Sequence, residues 1–338
     1  MNLESIGWQD HFARQMDASD RFTPGRVAQS QRDRYLVWTE AGAVQATISG
    51  TLRQQSDPLW PITGDWVLLS EGNSILRVLE RKSLIARKDP GGGLRPQILA
   101  TNIDVLFIVA GLDHDFNLRR LERYVVLARE GGVRPVILLN KADLSSEVES
   151  LAAQTRAVVG EIPVFAMSAT EARGLDVLGQ QMGTNETAAM VGSSGAGKST
   201  ILNRLLGEER QPTQSVRESD SRGFHTTTSR ELFQLPQGWL LMDLPGIREL
   251  QLLSGETVVV ATFEDILAAA VDCRFRDCRH EGEPGCAVVD RIDPTRLQAF
   301  HKLRHESEDQ ERELMLQAAL IEKKRSKVLQ KALRDAQR

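Results

Sequence analysis

AAMVGSSGAGKSTILNRLLG (Ala188–Gly207) begins as an apolar run, breaks into a glycine-rich loop and resumes with the spacing of a helix. A strand that delivers a loop to a helix N-terminus is a phosphate cradle. The glycines let the chain curl, successive backbone N–H groups point inward, and the helix presents its positive end. Within Gly192-x-x-x-x-Gly197-Lys198-Ser199 the wall is formed by Gly192, Ser193, Ser194, Gly195, Ala196 and Gly197. Lys198 is placed to hold the β- and γ-phosphates, and Ser199, with Thr200 beside it, to meet Mg²⁺. The loop by itself does not separate ATP from GTP.

That distinction comes from NKAD (Asn140–Asp143), which follows the apolar PVILLN run. The Asp143 carboxylate can accept from both N1–H and the N2 amine of guanine, whereas adenine offers no such pair of donors. Asn140 can reach the O6 and N7 edge, and the stem of Lys141 can lie over the base. Ser168 and Ala169, followed by Gly174-Leu175-Asp176, fit the loop whose backbone closes over O6. The order matters as much as the motifs. In ordinary GTPases the phosphate loop comes first; here it follows NKAD, which reads as a circularly permuted nucleotide switch.

The motifs also share a position. NKAD, Ser168-Ala169, the phosphate loop and DLPG (Asp243–Gly246) each follow an apolar run, and the runs alternate with helical stretches such as LRRLERYVVLAREG (Leu118–Gly131). This is the pattern of a parallel sheet covered on both faces, with its site at the strand C-terminal ends. Asp243 is expected to meet Mg²⁺ through water, and the Gly246 N–H to sense the γ-phosphate. After DLPG stands Ile247, where many small GTPases carry a water-orienting glutamine. Isoleucine cannot orient water. The polar segment Gln211–Ser229 contains GFHTTT, so His225 is the candidate for orienting or activating water and Thr227 for sensing Mg²⁺, with the neighbouring threonines as alternatives.

Working outward, YLVWT, AVQATIS, DWVLLS and SILRVL between Val27 and Glu80 are short β-type runs joined by turn residues, which predicts a small barrel. Such a barrel either contacts oligonucleotides or serves as a structural module. KDPGGGLRP (Lys88–Pro96) breaks regular structure and marks a linker. A length of 338 residues with 41% apolar and 26% charged side chains fits a multidomain globular chain. The N-terminal MNLESIGWQDHF lacks the basic and apolar blocks of a signal peptide, and the apolar runs are too short to span a bilayer. A cytoplasmic protein with no membrane partner is expected. The formal net charge of −4 confines any RNA contact to local basic patches. One such patch is KKRSKVLQKALRDAQR at the C-terminus, which reads equally as an RNA-contacting or a solvated helix.

Cys273-x4-Cys278-x-His280-x5-Cys286 uses every cysteine in the chain. An odd number of thiols argues against disulfides, and three thiolates with one imidazole suit a closed tetrahedral Zn²⁺ site of structural type.

Taken in order, the barrel, NKAD, SA, GSSGAGKST, HTTT, DLPG and the cysteine–histidine cluster resemble the RsgA family of circularly permuted GTPases dependent on the small ribosomal subunit. The resemblance covers about Val27 to Phe300. It implies a multidomain α/β chain: an OB-fold β-barrel with its N-terminal extension (1–90), a permuted P-loop GTPase domain (91–255) and a helical zinc-binding domain with its tail (256–338). It also implies GTP hydrolysis that the small (30S) subunit stimulates during late maturation, contact with 16S rRNA, and a monomeric protein that exchanges GTP and GDP. The family's switch histidine maps onto His225 and its zinc ligands onto Cys273, Cys278, His280 and Cys286. Phe224 stands where the family often has arginine. Two other classes fit parts of the pattern: a P-loop kinase or ATPase acting on a small molecule, and an RNA-binding module with vestigial hydrolysis. Asp143 argues against the first; Lys198, Ser199 and Asp243 argue against the second.

Overall fold

The computed structural model describes residues 1–16, 21–31, 33–55, 58–87, 96–207, 230–244 and 256–309, with single positions further on. His225, Thr227 and Gly246, the linker glycines and the basic end of the tail lie outside the described residues. Among the described residues no helix is long and apolar enough to cross a membrane.

In chain order the elements are α1 (Asp10–Ala13), β1 (Thr23–Gln31), β2 (Arg34–Thr39), β3 (Gly42–Ile48), α2 (Gly50–Arg53), β4 (Trp66–Leu69), β5 (Ser74–Val78), β6 (Leu84–Arg87) and β7 (Gln97–Thr101). The nucleotide-type half follows: β8 (Val105–Gly111), α3 (Leu118–Glu130), β9 (Arg134–Asn140), α4 (Val148–Val159), β10 (Val164–Ala166), α5 (Asp176–Gln180), β11 (Thr187–Gly192), α6 (Lys198–Leu206), β12 (Glu231–Gln234) and β13 (Leu240–Asp243). The last are α7 (Glu256–Thr262), α8 (Glu264–Ala270) and α9 (Ala287–Arg291). Two compact units result, one from Met1–Ala86 with Ile98–Leu250, the other from Arg87–Gln97 with Gln251–Arg338.

In the first unit, β1 pairs with β2 and β4, β2 with β3, β3 with β5 and β5 with β4, a closed circuit of five strands with the OB connectivity. Closure removes the exposed edges that an open sheet of this size would present. The continuous apolar run of β4 is explained by its two faces. Val67 and Leu69 point into the barrel with Val27, Val37 and Ile75, whereas Trp66 and Leu68 pack outward against Ile6, Phe12 and Leu79. The N-terminal extension is therefore part of the barrel's packing, with Trp8 and Trp66 ring centroids 4.7 Å apart.

β1 was not legible as a strand: TPGRVAQSQ carries Pro24, Gly25 and a polar end. Tertiary pairing makes it one. After a bulge between Val27 and Gln29 it also meets β12 through Gln29 and Glu231, so the barrel continues into the second half of the unit. There the sheet runs β10-β9-β8-β11-β13-β12, with β12 antiparallel to β13 and the rest parallel. β11, which leads into the phosphate loop, lies centrally between β8 and β13, although β8, β9 and β10 all precede it in the chain. That is the permutation in structural form. β6 and β7 form a separate two-stranded ribbon that the sequence pattern did not reveal. α3 starts on the Asn117 side chain, which accepts from the Arg120 N–H, and buries Leu121, Tyr124, Val125 and Ala128 on one stripe.

In the second unit, α7, α8, α9 and a helix through 294–309 enclose Val259, Phe263, Ile266, Val288, Phe300 and Leu303. Phe263 and Phe300 meet edge to face at 5.3 Å.

Candidate nucleotide site and metal cluster

The phosphate loop is made possible by three glycines in left-handed backbone: Gly192, Gly195 and Gly197. Two of them also have no room for a side chain. A Cβ on Gly192 would lie 2.2 Å from the Val109 carbonyl oxygen of β8, and one on Gly197 would lie 2.1 Å from Asn140 Nδ2. Ser194 and Gly195 form the exposed crest of the loop. Lys198 folds back across it, donating to the carbonyls of Gly192 at 2.9 Å and Ser193 at 2.8 Å. Burial pushes the Lys198 ammonium down to about 8, partly opposed by the negative charges of Asp243 and Asp115. Ser199 and Thr200 occupy the first turn of α6, and Asp243 ends β13, buried beside the loop strand in register with Met190.

Asn140 locks the motifs together. Its Nδ2 donates to the Ala196 carbonyl at 2.8 Å, and its Oδ1 accepts from the Ala169 N–H at 3.0 Å. One buried side chain thus ties the phosphate loop to the Ser168-Ala169 loop. That second loop is held closed by reciprocal bonds between Ser168 and Arg173, each 2.9 Å, and by Arg204 of α6, which donates to the carbonyls of Ala169 and Thr170. Lys141 sits in left-handed backbone at φ 64° and donates to Asp113 Oδ2 at 2.6 Å. Asp143 Oδ1 is buried with no hydrogen-bond partner among the described residues. A buried carboxylate oxygen left unpaired is costly, and a donor from a bound base would satisfy it.

The structure brings Asn140, Lys141, Asp143, Ser168, Ala169, the Gly192–Thr200 loop and Asp243 to one end of the parallel strands. Sequence reasoning missed Asp113, Asp115 and Arg204. The first two lie in GLDHDFN, directly after β8, and that strand-end position was the available signal.

In the second unit, the sulfur atoms of Cys273, Cys278 and Cys286 and a ring nitrogen of His280 all lie within 4.8 Å of one another. His280 Nδ1 is 3.6 Å from Cys273 Sγ and 3.5 Å from Cys286 Sγ, and those two sulfurs are 4.0 Å apart. A tetrahedral ion with bonds of about 2.0–2.3 Å separates its ligand atoms by roughly 3.3–3.8 Å, so the cluster can hold a metal. Its loop is built for the purpose. His280 adopts φ 63°, Gly282 and Gly285 take left-handed turns, and the Glu283 carboxylate accepts from the N–H groups of Arg279 and Glu281, each at 2.8 Å. Its own backbone N–H and those two hold Glu283 down at about 2. His301 Nε2 lies 3.0 Å from the His280 carbonyl oxygen and braces the ligand from the following helix.

A family model described as RsgA GTPase matches residues 78–253, and one described as 50S ribosome-binding GTPase matches residues 187–323. The small ribosomal subunit biogenesis GTPase RsgA of Opitutus terrae is 41% identical over 329 residues, covering 90% of each chain. RsgA 2 of Vibrio parahaemolyticus is 42% identical over 293 residues, covering 86% of this chain and 80% of its own. Among solved structures, YjeQ from Thermotoga maritima aligns with a TM-score of 0.62 at 22% identity over 85% of this chain and 98% of that one. The circularly permuted GTPase YloQ gives 0.60 at 20% identity over 87% and 98%. These two likenesses establish the shared fold. A phosphate loop threaded after its guanine motif, on a sheet shared with those structures and in a chain matched nearly end to end by the relatives, makes this GTP hydrolase a member of the RsgA GTPase family.

Proposed function

We propose that the protein is a timing switch in late maturation of the small ribosomal subunit, with hydrolysis stimulated by that subunit. The observation that carries the guanine half of the reading is the buried, unpaired Asp143 Oδ1 beside Asn140 and Ala169. The partner half is supported by the relatives, which are named for biogenesis of the small subunit. In this reading residues 1–90 form the OB-fold domain, 91–255 the GTPase domain and 256–338 the zinc-binding domain, acting together on the 30S particle and its 16S rRNA as a cytoplasmic monomer.

Lys198 holds the β- and γ-phosphates, and the N–H groups from Gly192 to Thr200 line the phosphate path. Ser199, Thr227 and Asp243 would hold Mg²⁺, which when bound would neutralise charge on the phosphates. The Gly246 N–H senses the γ-phosphate, and His225 orients or activates the attacking water. Loss of the γ-phosphate removes the contacts of Thr227 and Gly246, so GTP and GDP favour different arrangements of the Gln211–Ser229 segment. Cys273, Cys278, His280 and Cys286 hold one structural Zn²⁺.

GTP turnover by the full chain, with and without isolated small subunits, tests the reading, with ATP and large subunits as controls. Strong stimulation by small subunits alone is expected. Stimulation by large subunits instead would favour the partner named in the second family description. GTP binding with turnover unmoved by either particle would remove the ribosomal partner and leave the GTPase. His225→Ala should cut stimulated turnover with little change in GTP affinity, and unchanged turnover would take His225 out of the mechanism.

A further inference from the structure

The loop that follows β8, Gly111–Asn117, places two carboxylates against the nucleotide motifs, and neither belongs to any of them. Negative charge beside a polyphosphate site is costly unless it is matched, and both are matched. Asp113 Oδ2 accepts from Lys141 Nζ at 2.6 Å, with both side chains largely buried, at 16% and 19% exposure. Asp115 pairs with Arg120 at 2.7 Å and takes a hydrogen bond from the Ser193 side chain of the phosphate loop. The loop is braced to do this. Asp113 Oδ1 accepts from the Asp115 N–H at 3.1 Å, and the Leu112 N–H donates to the Asn140 carbonyl at 2.8 Å, the residue next to Lys141.

From this arrangement we infer that Asp113 is a positioning residue of the guanine slot: by gripping the Lys141 ammonium it fixes the lysine stem as one wall of the base pocket and slows nucleotide release. The inference rests on reading the site as a guanine-nucleotide site. Lys141 occupies left-handed backbone that a non-glycine residue adopts at a cost, so its direction has to be held by something outside its own backbone. A long lysine left untethered would sample many rotamers, and ordering it at the moment of binding would weaken affinity. The ion pair orders it beforehand. Because the tether acts on a side chain next to the base, and because Asp143 does the discriminating, its loss should weaken GTP and GDP alike and leave the preference over ATP intact.

The test is release of a fluorescent GDP analogue from the full chain, measured for the wild type, Asp113→Asn, Lys141→Met and the double variant, with melting of the nucleotide-free proteins as the folding control. Asp113→Asn should release nucleotide roughly tenfold faster, the loss expected for one charge-assisted hydrogen bond. Lys141→Met should do about the same, and the double variant should be no faster than the faster single. Unchanged release in Asp113→Asn would overturn the inference, as would two effects that multiply in the double variant. If Asp113→Asn does not fold, Lys141→Met still decides: release at the wild-type rate overturns the tether, and faster release with the GTP-over-ATP preference kept supports it. Wild-type protein that binds ATP as well as GTP would instead defeat the guanine reading itself, whichever way the variants behave.

Discussion

Asp143 shows how a single side chain can be read twice, first as the last letter of NKAD and then as a buried oxygen that nothing in the described protein satisfies. Asp143→Asn keeps the shape but replaces an acceptor with a donor, which faces the donors of guanine and suits a base carrying a carbonyl there. GTP affinity should drop by about 100-fold or more while xanthosine triphosphate gains, as an equilibrium titration with both nucleotides would show. Asp113 was invisible to the same reading because its partner, Lys141, lies 28 positions further along the chain. Burial alone would raise its carboxyl; the hydrogen bond from Lys141, aided by the Asp115 N–H, outweighs that and holds it below its ordinary value of 3.8. A depressed folded value means stability that is fully present above the ordinary carboxylate range and is lost as pH falls through the folded value. The stability gap between the wild type and Asp113→Asn in urea unfolding should therefore be flat at neutral and mildly acidic pH and should close below about pH 4. A gap that stays constant down to acid pH would mean that Asp113 carries no differential charge interaction.

At the scale of elements, the phosphate loop is legible because its glycines are demanded locally, yet the strength of the demand is tertiary. Gly192 has no space for a Cβ because the Val109 carbonyl of β8 stands 2.2 Å from where it would be. Gly192→Ala should destabilise the first unit by about 2 kcal/mol or more, from left-handed strain together with displacement of a sheet backbone, as read by urea unfolding. Strands β2 to β5, β8, β9 and helix α3 announced themselves by period and by breakers at their ends. β1 did not, since its nine residues include Pro24, Gly25 and three glutamine or serine positions at its far end. It is a strand because β2, β4 and β12 all pair with it. β12, of four residues, is likewise too short for periodicity to mark.

For the whole molecule, Arg26 is where the barrel, the N-terminal extension and the permuted sheet are joined. Its guanidinium is buried and donates to the carbonyls of Ile6 at 2.6 Å, Asn102 at 3.0 Å and Gly64 at 3.4 Å, with burial lowering its value to about 10 against the pull of Asp104 and Asp65. Arg26→Met would leave those oxygens unpaired and should cost about 3 kcal/mol of first-unit stability, measured by urea unfolding at neutral pH. In the second unit the few buried apolar side chains are supplemented by the Cys273, Cys278, His280 and Cys286 cluster. Purified protein should carry about one zinc per chain, and a strong chelator should open the Cys273–Cys286 loop to protease while the untreated protein resists. What the sequence alone determined was local pattern: which loop has the phosphate-cradle spacing, which carboxylate ends the guanine-type motif and which four side chains can share a metal, each written in residues a few positions apart, together with the permuted order of those motifs along the chain. The tertiary structure decided what joins those parts: the Asn140 lock between two loops, the Asp113 grip on Lys141, and the polar β1 and buried Arg26 that fuse barrel to sheet. Those contacts link residues tens of positions apart, and their energies exist only once the chain has excluded water and brought these buried polar groups within reach of one another.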